Sequence, residues 1–368
     1  MVSILRASLS LEDGTVFHGT MFGEPAGVSG EVVFNTAMSG YVEALTDPSY
    51  RGQILVLTYP LIGNYGVPAP RPADSLVGPY ESDRIQVLGL IVQQACEHYS
   101  HVDARRSLSA WLRAENIPGL AGIDTRTLTR RLREAGTMKG RIVPQGNGAP
   151  TPEPLIEVDM TTVAGLVAPA EPRHYPAGDL TILLVDMGAK DNIVRSLLAR
   201  DVSVLRAGWR ADLGALARQV DGILIGNGPG DPKNLAPLVE QTRRLMSDFG
   251  KPIFGLCLGH QILALAAGGD TYKLKYGHRG INQPVQDLLT RRCYITSQNH
   301  GFAVREGSLP QGWEPWFVNL NDGTNEGIRA HRKPIFSVQF HPEAAPGPRD
   351  TGFLFDDFVR LVGAMKTG

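Results

Sequence analysis

The hydrophobic pattern of the first 140 residues is one of short apolar runs separated by turn residues. In residues 9–17 two such runs flank Asp13–Gly14, which is a strong hairpin signal. Asp124 stands where it can cap a following amphipathic helix. Further strands are predicted at residues 30–36 and 54–59, and helices at residues 105–115 and 124–132. This part of the chain is predicted to be a β-rich domain with some helix.

After residue 180 the pattern changes to apolar strands that alternate with amphipathic helices. Such an order predicts an open, mostly parallel sheet with helices on both faces. Ligands of these sheets bind beyond the carboxyl ends of the strands. Strands are predicted at residues 181–186, 202–205, 222–226, 252–256 and 335–340, and helices at residues 190–200, 235–249, after Cys257, and at 353–365. The residues between the last two of these helices are β-rich.

Two domains are predicted, because 368 residues exceed what one compact core usually holds. Residues 144–154 are rich in proline and glycine, as is typical of a loop or linker. The predicted fold is therefore α/β. A smaller β-rich α/β domain at residues 1–140 is followed by a linker region at 141–178 and the parallel-sheet domain at 179–368.

Charge and composition narrow the classes of function. The chain has 36 Lys and Arg against 37 Asp and Glu, without long charged runs, so nothing favours nucleic acid or an anionic membrane as partner. No apolar stretch approaches the ~20 residues that cross a bilayer, and residues 1–20 lack the apolar core of a signal peptide. The three widely spaced cysteines form no disulfide framework or zinc pattern. We therefore expect a cytoplasmic, reduced protein, a setting that permits a catalytic thiol.

One cysteine stands between a predicted strand and a predicted helix. Cys257 is flanked by Gly255 and Gly259. This Gly-x-Cys-x-Gly pattern is the thiol counterpart of the nucleophile elbow, in which small residues allow a strained turn to present a nucleophile at a helix N-terminus. The helix dipole at that position favours a thiolate. The alternative is a buried structural cysteine, so the hypothesis needs a base, an orienting acid and an oxyanion hole elsewhere.

His341 is the best candidate for the base among nine histidines. It ends a predicted apolar strand, at the sheet edge where this architecture places its chemistry. Pro342 restricts the backbone that joins His341 to Glu343, so Glu343 is predicted to orient the imidazole as the third member of a triad. The alternative for an isolated His-Pro-Glu sequence is a surface turn.

The oxyanion hole is predicted to combine the N–H of Leu258 with a donor from the loop Asn227–Pro232. Glycines in this loop, Gly228 and Gly230, allow bare backbone to approach a substrate carbonyl. The competing interpretation as a phosphate cradle fails because the chain has no Gly-x-x-x-x-Gly-Lys-Ser/Thr sequence. A purely structural turn remains an alternative.

The other two cysteines are interpreted as non-catalytic. Cys96 lies in the cluster 96–101, which has metal-binding residue types but no second Cys/His pair at a zinc spacing, so no metal site is predicted. Cys293 begins an apolar–polar stretch and is predicted to face a core.

Three motifs together resemble the class I (triad) glutamine amidotransferase domain, and they occur in the order typical of that family: Asn227–Pro232, Gly255–Gln261 and Gln339–Glu343. The first domain narrows the resemblance to the small-subunit family of carbamoyl-phosphate synthetases. Its matching segments are residues 11–14, 34–36, 45–50, 63–66 and 122–126. The similarity covers nearly the whole chain and is weakest near residues 145–175.

The resemblance implies roles for individual positions. Cys257 is expected to be the nucleophile, His341 its base and Glu343 the orienting acid. Lys190 is expected to form a structural ion pair. The positions expected to bind L-glutamine or its oxyanion are Ser49, Gly228, Gly230, Leu258, Gln261, Asn299, Gly301 and Phe302. Since Ser49 belongs to the first domain, the resemblance places the site between the domains.

The resemblance also implies a glutaminase that delivers ammonia to a large synthetase subunit, for carbamoyl phosphate synthesis in the arginine and pyrimidine pathways. This chain has no recognisable nucleotide site, so ATP and Mg²⁺ are expected on the large subunit and no cofactor in this chain. Three alternatives remain: the glutaminase subunit of another amidotransferase, a stand-alone cysteine hydrolase, and a non-catalytic regulatory or scaffold subunit.

Overall fold

The computed structural model describes residues 5–72, 75–146 and 159–366, and the chain divides into two compact units after Asp159. Most of the proline- and glycine-rich run 144–154 lies outside the described residues. The regular structure on either side reaches further into the predicted linker region 141–178 than expected. A barrel strand runs to Gln145, while a helix at Met160–Val167 and a strand at Arg173–Tyr175 belong to the second unit. We call residues 1–159 the barrel unit and residues 160–368 the sheet unit.

The barrel unit is built on seven strands that close on themselves. Its strands are β1 (Arg6–Leu11), β2 (Val16–Gly23), β3 (Val28–Asn35), β4 (Gln53–Leu57), β5 (Leu61–Ile62), β6 (Gly89–Ile91), β7 (Gln94–Ala95), β8 (Pro118–Ala121) and β9 (Met138–Gln145), and its helices are α1 (Tyr41–Thr46), α2 (Leu108–Ala114), α3 (Thr125–Ala135) and a 3₁₀ turn at Pro48–Tyr50. The barrel order is β1–β2–β8–β6–β4–β3–β9, and β9 pairs antiparallel with β1 to close it. Strands β5 and β7 form a separate two-stranded sheet.

Local signals account for the ends of several barrel-unit elements. The predicted hairpin is confirmed: Gly14 has a φ of 84° and closes the turn between β1 and β2 by donating its N–H to the Leu11 carbonyl. The predicted cap is also confirmed, because Asp124 Oδ1 accepts the N–H of Thr127 at 2.9 Å and α3 begins at the next residue. Helix α2 begins three residues later than predicted, after the capping residue Ser107.

Four neighbouring strands of the barrel run in the same direction. Strand β3 is parallel to β4, β4 to β6, and β6 to β8. Their carboxyl ends therefore meet at one rim of the barrel. Helix α3 follows β8 at this rim and contacts β3 and β4.

The sheet unit has ten strands in one sheet and six helices. Its strands are β10 (Arg173–Tyr175), β11 (Leu180–Asp186), β12 (Val202–Gly208), β13 (Gly222–Ile225), β14 (Ile253–Leu256), β15 (Thr271–Asp287), β16 (Cys293–Val304), β17 (Trp313–Asn319), β18 (Asn325–Ala330) and β19 (Ile335–Val338), and its helices are α4 (Met160–Val167), α5 (Asp191–Leu198), α6 (Leu213–Ala217), α7 (Ala236–Asp248), α8 (Leu258–Ala267) and α9 (Phe353–Lys366), with a 3₁₀ turn at Pro232–Leu235. The sheet order is β10–β12–β11–β13–β14–β19–β18–β17–β15–β16. No helix within the described residues is long and apolar enough to cross a membrane.

The alternating strand–helix pattern is confirmed in the middle of this sheet, where β12, β11, β13, β14 and β19 are all parallel. The β-rich stretch after α8 continues the same sheet with antiparallel strands. Helices cover both faces. On β14, Ile253 joins the core cluster that contains residues of α7 and α8, and its neighbour Phe254 packs against Phe355 and Phe358 of α9 on the opposite face.

Candidate active site

Cys257 occupies a strained turn between β14 and α8, as the sequence predicts. It has φ 53° and ψ −103°, a region that residues other than glycine rarely adopt. The residue is 2% exposed, and its N–H donates to the carbonyl of Val338 at 2.9 Å. Backbone strain of this kind persists only where the surrounding structure holds it, and it is concentrated at functional sites.

The glycines on either side of Cys257 are required by close packing. A Cβ on Gly255 would lie 2.6 Å from Leu263 Cδ1, and a Cβ on Gly259 would overlap the carbonyl oxygen of Ile225. The N–H of Gly259 also donates to the carbonyl of Gly226 at 3.0 Å. The first turn of α8 is thus seated directly on the carboxyl end of β13. We call Gly255–Gly259 the elbow.

The elbow presents the positive end of a helix dipole beside the thiol. Leu258 is the first residue of α8, a position whose N–H has no acceptor within its own helix. Such N–H groups and the helix dipole favour negative charge nearby. The elbow can therefore stabilise either a thiolate or an oxyanion that forms next to it.

His341 and Glu343 form a buried pair at the end of the neighbouring strand. Strand β19 pairs with β14 and ends at Val338, two residues earlier than predicted. The N–H of His341 donates to the carbonyl of Ser297 at 2.9 Å, which fixes the backbone. Nδ1 of His341 lies 2.6 Å from Oε1 of Glu343, and both side chains are buried. The predicted orientation of the imidazole by Glu343 is present in the structure.

A lysine adds a second positive charge beside Glu343. Lys190 Nζ lies 3.3 Å from Glu343 Oε1 and donates a hydrogen bond to the Ala344 carbonyl. The ion pair expected for Lys190 is therefore formed, and it is fully enclosed. Burial alone would raise the pKa of Glu343, but His341 and Lys190 lower it to about 2. Glu343 is consequently an anion throughout the physiological range.

The second ring nitrogen of His341 can interact with the Cys257 thiol. Among the described residues, Nε2 of His341 has no hydrogen-bond partner although it is buried. Burial lowers the pKa of His341, but the charges of Glu343 and Cys257 outweigh it and raise that pKa to about 10. An imidazolium here stabilises an adjacent thiolate. The Cys257 Sγ lies 3.7 Å from the carbonyl oxygen of Asn299.

The loop after β13 borders the elbow from the next strand. A Cβ on Gly228 would overlap the carbonyl oxygen of Met187, and Gly230 has a φ of 106°. Asn227 is fully buried and ties the loop down, since its Oδ1 accepts the N–H of Lys190 at 2.9 Å. The loop is therefore a rigid backbone surface at the carboxyl edge of the parallel strands.

Several predicted glutamine-binding residues are connected by hydrogen bonds near Cys257. Gln261 Nε2 donates to the carbonyl of Phe302 at 2.8 Å and to Gln339 Oε1 at 3.0 Å. Asn299 and Phe302 both belong to β16, as does Gly301, and the carbonyl of Asn299 faces Cys257. The structure thus gathers residues of α8 and β16 around the thiol.

Comparisons with known proteins identify the family to which the chain belongs. Residues 9–142 match the carbamoyl-phosphate synthase small chain, CPSase domain, and residues 183–361 match the glutamine amidotransferase class-I family. The carbamoyl phosphate synthase arginine-specific small chain of Neosartorya fischeri is 46% identical over 365 residues, 98% of this chain and 81% of that one. The chain belongs to the carbamoyl phosphate synthase small-chain family.

Members of the small-chain family also occur within longer polypeptides. The multifunctional protein URA2 of Saccharomyces cerevisiae is 44% identical over 391 residues, which cover 98% of this chain and 18% of that one. Both units of this chain therefore have counterparts in one part of that protein. Among solved structures, a glutamine amidotransferase of Thermotoga maritima covers 51% of this chain and 86% of its own, at 16% identity and a TM-score of 0.37.

One residue that the small-chain resemblance assigns to the glutamine site lies in the barrel unit. Ser49 is in the 3₁₀ turn at Pro48–Tyr50, where its N–H donates to Asp47 Oδ1 at 2.9 Å. This turn holds Ser49 in a defined local conformation. Its contact with glutamine stays a prediction.

A second polar cluster in the small-chain fold, buried except for Asp322, was missed by sequence reasoning. His278, on β15, lies 2.9 Å from Asp322 through Nε2 and 3.5 Å from Glu326 through Nδ1. Gln298 Nε2 donates to Glu326 Oε2 at 3.0 Å, and Gln298 Oε1 lies 3.1 Å from His300 Nε2. We call these five residues the polar network. The sequence signal for the polar network was weak because the five residues come from separate strands and loops.

The polar network reaches the predicted glutamine-binding residues. His300 Nδ1 lies 2.8 Å from the carbonyl oxygen of Phe302, which also accepts the hydrogen bond from Gln261. Among the described residues, the one group of three side chains close enough to share a metal ion is His278, His300 and Glu326. Hydrogen bonds within the protein already engage all three side chains. We therefore interpret the cluster as a hydrogen-bonded scaffold.

The remaining two cysteines lie outside this site. The Cys96 thiol donates to the carbonyl of His98 at 2.7 Å, and the metal-ligand group described above does not include it. The prediction that Cys293 faces a core is wrong, because its side chain is exposed. Cys293 pairs with Gln286 at the last register position of β15 and β16, where the hairpin extends beyond the packed interior.

Proposed function

We propose that this chain is the glutamine-hydrolysing subunit of a carbamoyl phosphate synthase and that Cys257, His341 and Glu343 are its catalytic triad. The observation that carries the proposal is the strained, buried Cys257 beside the His341–Glu343 pair, in which the second imidazole nitrogen has no hydrogen-bond partner within the described part of the chain. Family membership supplies the context, since both matched families meet in one chain.

In the proposed reaction, the Cys257 thiolate attacks the side-chain amide carbon of glutamine. Negative charge moves to the amide oxygen, which accepts hydrogen bonds from the N–H of Leu258 and from the backbone of Gly228 or Gly230. The His341 imidazolium gives its proton to the amide nitrogen, and the carbon–nitrogen bond breaks to release ammonia. The product on the enzyme is a γ-glutamyl thioester.

The neutral imidazole that remains then takes a proton from water. The resulting hydroxide attacks the thioester carbon, and the carbon–sulfur bond breaks to give glutamate and the thiolate. Glu343 keeps the imidazole oriented in both steps, because its carboxylate accepts the Nδ1 proton. Gln261, Asn299, Gly301 and Phe302, together with Ser49 of the barrel unit, are proposed to hold the backbone groups of glutamine.

The released ammonia is proposed to pass to a large synthetase subunit in the cytoplasm. Ammonia that escaped into water would be protonated and would lose its nucleophilicity, so a closed path to the partner is needed. ATP and Mg²⁺ are proposed to bind that partner. This division of labour is supported by the match of residues 9–142 to the carbamoyl-phosphate synthase small chain.

The decisive experiment compares two nitrogen sources in the complex with the large subunit. Cys257→Ser is expected to abolish glutamine-dependent carbamoyl phosphate synthesis and to spare ammonia-dependent synthesis. The matched control is Cys293→Ser, whose exposed thiol should be dispensable for both. Loss of both activities in the Cys257 variant would indicate a scaffold role and contradict the proposal.

Two further outcomes would identify the alternatives. Glutamine hydrolysis by the lone chain that does not change when the large subunit is added would indicate a stand-alone hydrolase. Transfer of ammonia to a chorismate-using or other synthetase, without carbamoyl phosphate synthesis, would indicate a different amidotransferase.

A further inference from the structure

Three charged residues in the interior of the sheet unit have no part in the reaction proposed above. Arg206 lies on β12, and its side chain is 13% exposed. It lies between Asp186, at the carboxyl end of β11, and Asp191, the first residue of α5, and both of these carboxylates are buried. We call the three residues the arginine clamp. A buried ion pair is weak evidence for stability, and fixing one conformation is the alternative role.

The guanidinium group of Arg206 binds the segment that joins β11 to α5 at three points. Its Nε donates to Asp186 Oδ2 at 2.5 Å, its Nη1 to Asp191 Oδ1 at 2.7 Å, and its Nη2 to the carbonyl of Ala189 at 2.9 Å. Burial lowers the pKa of Arg206, but the two carboxylates outweigh it and raise that pKa. The clamp therefore holds a permanent cation whose three nitrogen atoms are all engaged.

The clamped segment is a tight turn that ends at Lys190. Gly188 has a φ of 114°, a conformation that favours glycine. Asp186 Oδ1 accepts the N–H groups of Gly188 and Ala189, both at 2.6 Å. After β13, which pairs with β11 on the side opposite β12, Asn227 Oδ1 accepts the N–H of Lys190 at 2.9 Å. The backbone that carries Lys190 is thus fixed from both neighbouring strands.

This fixed backbone decides which acceptors the side chain of Lys190 can reach. Its Nζ lies 3.3 Å from Glu343 Oε1 and donates to the carbonyl of Ala344. The ammonium group is a point charge on a flexible four-carbon stem, so the side chain alone does not define its position. A displacement of the turn would therefore weaken the contact between Lys190 and Glu343.

We infer that Arg206 is a positioning residue for the glutamine reaction, because it holds the turn that places Lys190 against Glu343. This inference rests on the proposed function, since Lys190 affects the reaction only if the His341–Glu343 pair does. The guanidinium fork is needed at this position, because a lysine cannot span two carboxylates and a carbonyl in one rigid plane.

The test is a cycle of variants in the complex with the large subunit, with glutamine as the nitrogen source. Arg206→Lys is expected to lower kcat at least about threefold, by no more than Lys190→Met does, and to leave KM for glutamine within about twofold. The acid limb of the kcat profile should move to higher pH, as for Lys190→Met. In a chain that already carries Lys190→Met, Arg206→Lys should change kcat by less than about twofold.

Arg200→Lys is the matched control. Arg200 also binds one carboxylate and two backbone carbonyls, since it contacts Asp356 at 2.7 Å and donates to Ser196 and Gly352. These bonds connect α5 with the start of α9 and do not involve the turn before Lys190. The kcat and the pH profile of this control should match those of the wild-type complex.

A second variant keeps the inference testable if Arg206→Lys does not fold. Asp186→Asn retains an acceptor for the N–H groups of Gly188 and Ala189 but removes the charge that faces Arg206. The acid limb should again move to higher pH. An unchanged profile in Asp186→Asn would then overturn the inference.

The remaining outcomes separate the arginine clamp from the proposed function. Equal kcat losses from Arg206→Lys with and without Lys190→Met would show that Arg206 supports the fold and not Lys190. A lower midpoint of thermal unfolding with unchanged kcat and pH profile would have the same meaning. If the wild-type complex hydrolyses no glutamine, the proposed function itself fails. If it does and the Arg206→Lys profile stays in place, only the role of the clamp is refuted.

Discussion

The sheet unit buries two histidine–glutamate pairs that contain the same chemical groups and differ in their charge balance. In the first pair, His341 and Glu343 are joined by Lys190 and face Cys257. In the second, His278 and Glu326 are joined by Asp322. One extra partner is a cation and the other is an anion. The charge of this third group distinguishes the site that we propose to be reactive from the polar network.

The two glutamates respond in opposite directions. The pKa of Glu343 falls to about 2 because two cations outweigh the cost of burial. The pKa of Glu326 rises because burial dominates over its contacts with His278 and Asn319. Burial acts against ionisation of Asp322, but its contact with His278 outweighs this and lowers the pKa of Asp322 to about 2. The two glutamates therefore lie in surroundings that favour opposite forms of the carboxyl group.

The two sites differ in how their positive charge is balanced. Burial lowers the pKa of His278, but Asp322 and Glu326 outweigh it and raise that pKa to about 9, so the imidazolium already has acidic partners within the second site. Lys190, protonated His341 and ionised Glu343 sum to one positive charge. The first site therefore holds an excess of buried positive charge, which favours negative charge that develops beside it in a reaction.

The largest predicted effect comes from removing the imidazole of the first pair. His341→Asn should lower the kcat of glutamine hydrolysis by about 10²–10⁴-fold, because both proton transfers lose their carrier. Ammonia-dependent synthesis by the complex should persist. His331→Asn is the control, since His331 also faces a glutamate, Glu314 at 3.4 Å, but half-exposed on the surface. Equal losses in the two variants would contradict the special role of the first pair.

A smaller loss is predicted when the carboxylate is neutralised. Glu343→Gln should reduce kcat by about 10²-fold, since the amide can hold the ring but cannot stabilise its charge. His341 has a pKa of about 10, so its imidazolium persists until the pH rises through that value. Without the carboxylate this pKa falls, and the alkaline limb of the kcat profile should move down by about 1–3 pH units.

The matched control for that profile is Glu314→Gln, which removes an exposed carboxylate from His331 and Arg329. Its pH dependence should follow that of the wild-type chain. An alkaline limb that stays in place in Glu343→Gln would show that Glu343 does not set the charge of His341.

Lys190 tests the charge count itself. Lys190→Met removes a buried positive charge, so the site should stabilise negative charge that develops in the reaction less well. It also removes one of the two cations that lower the pKa of Glu343, so that pKa should rise. We expect kcat at neutral pH to fall about tenfold, and the acid limb of the profile to move to higher pH. Lys333→Met, which removes an exposed lysine, should change neither. A lower stability with an unchanged pH profile would restrict Lys190 to a structural role.

The first pair can be predicted from the sequence and the second cannot, for a physical reason. His341 and Glu343 are two residues apart, and the glycines that flank Cys257 are each two residues from it, so local backbone rules constrain each of these motifs. His278 and Glu326 meet only because β15, β16, β17 and β18 lie side by side, and no local pattern encodes that pairing. The barrel closure between β1 and β9 was unpredictable for the same reason. Cys293 was misplaced because apolar alternation continues past the packed part of its hairpin.

The smallest predicted effect is at Glu326. Replacing this glutamate by glutamine should reduce kcat far less than the same substitution at Glu343. Glu326→Gln keeps the shape of a carboxyl group whose pKa is already raised, so His278 still has its ionised partner Asp322. We expect kcat to change less than about twofold. KM for glutamine should rise a few fold, since Gln298 and His300 support the Phe302 carbonyl less firmly. A kcat loss equal to that of Glu343→Gln would mean that both pairs serve the reaction, and the charge balance would not separate them.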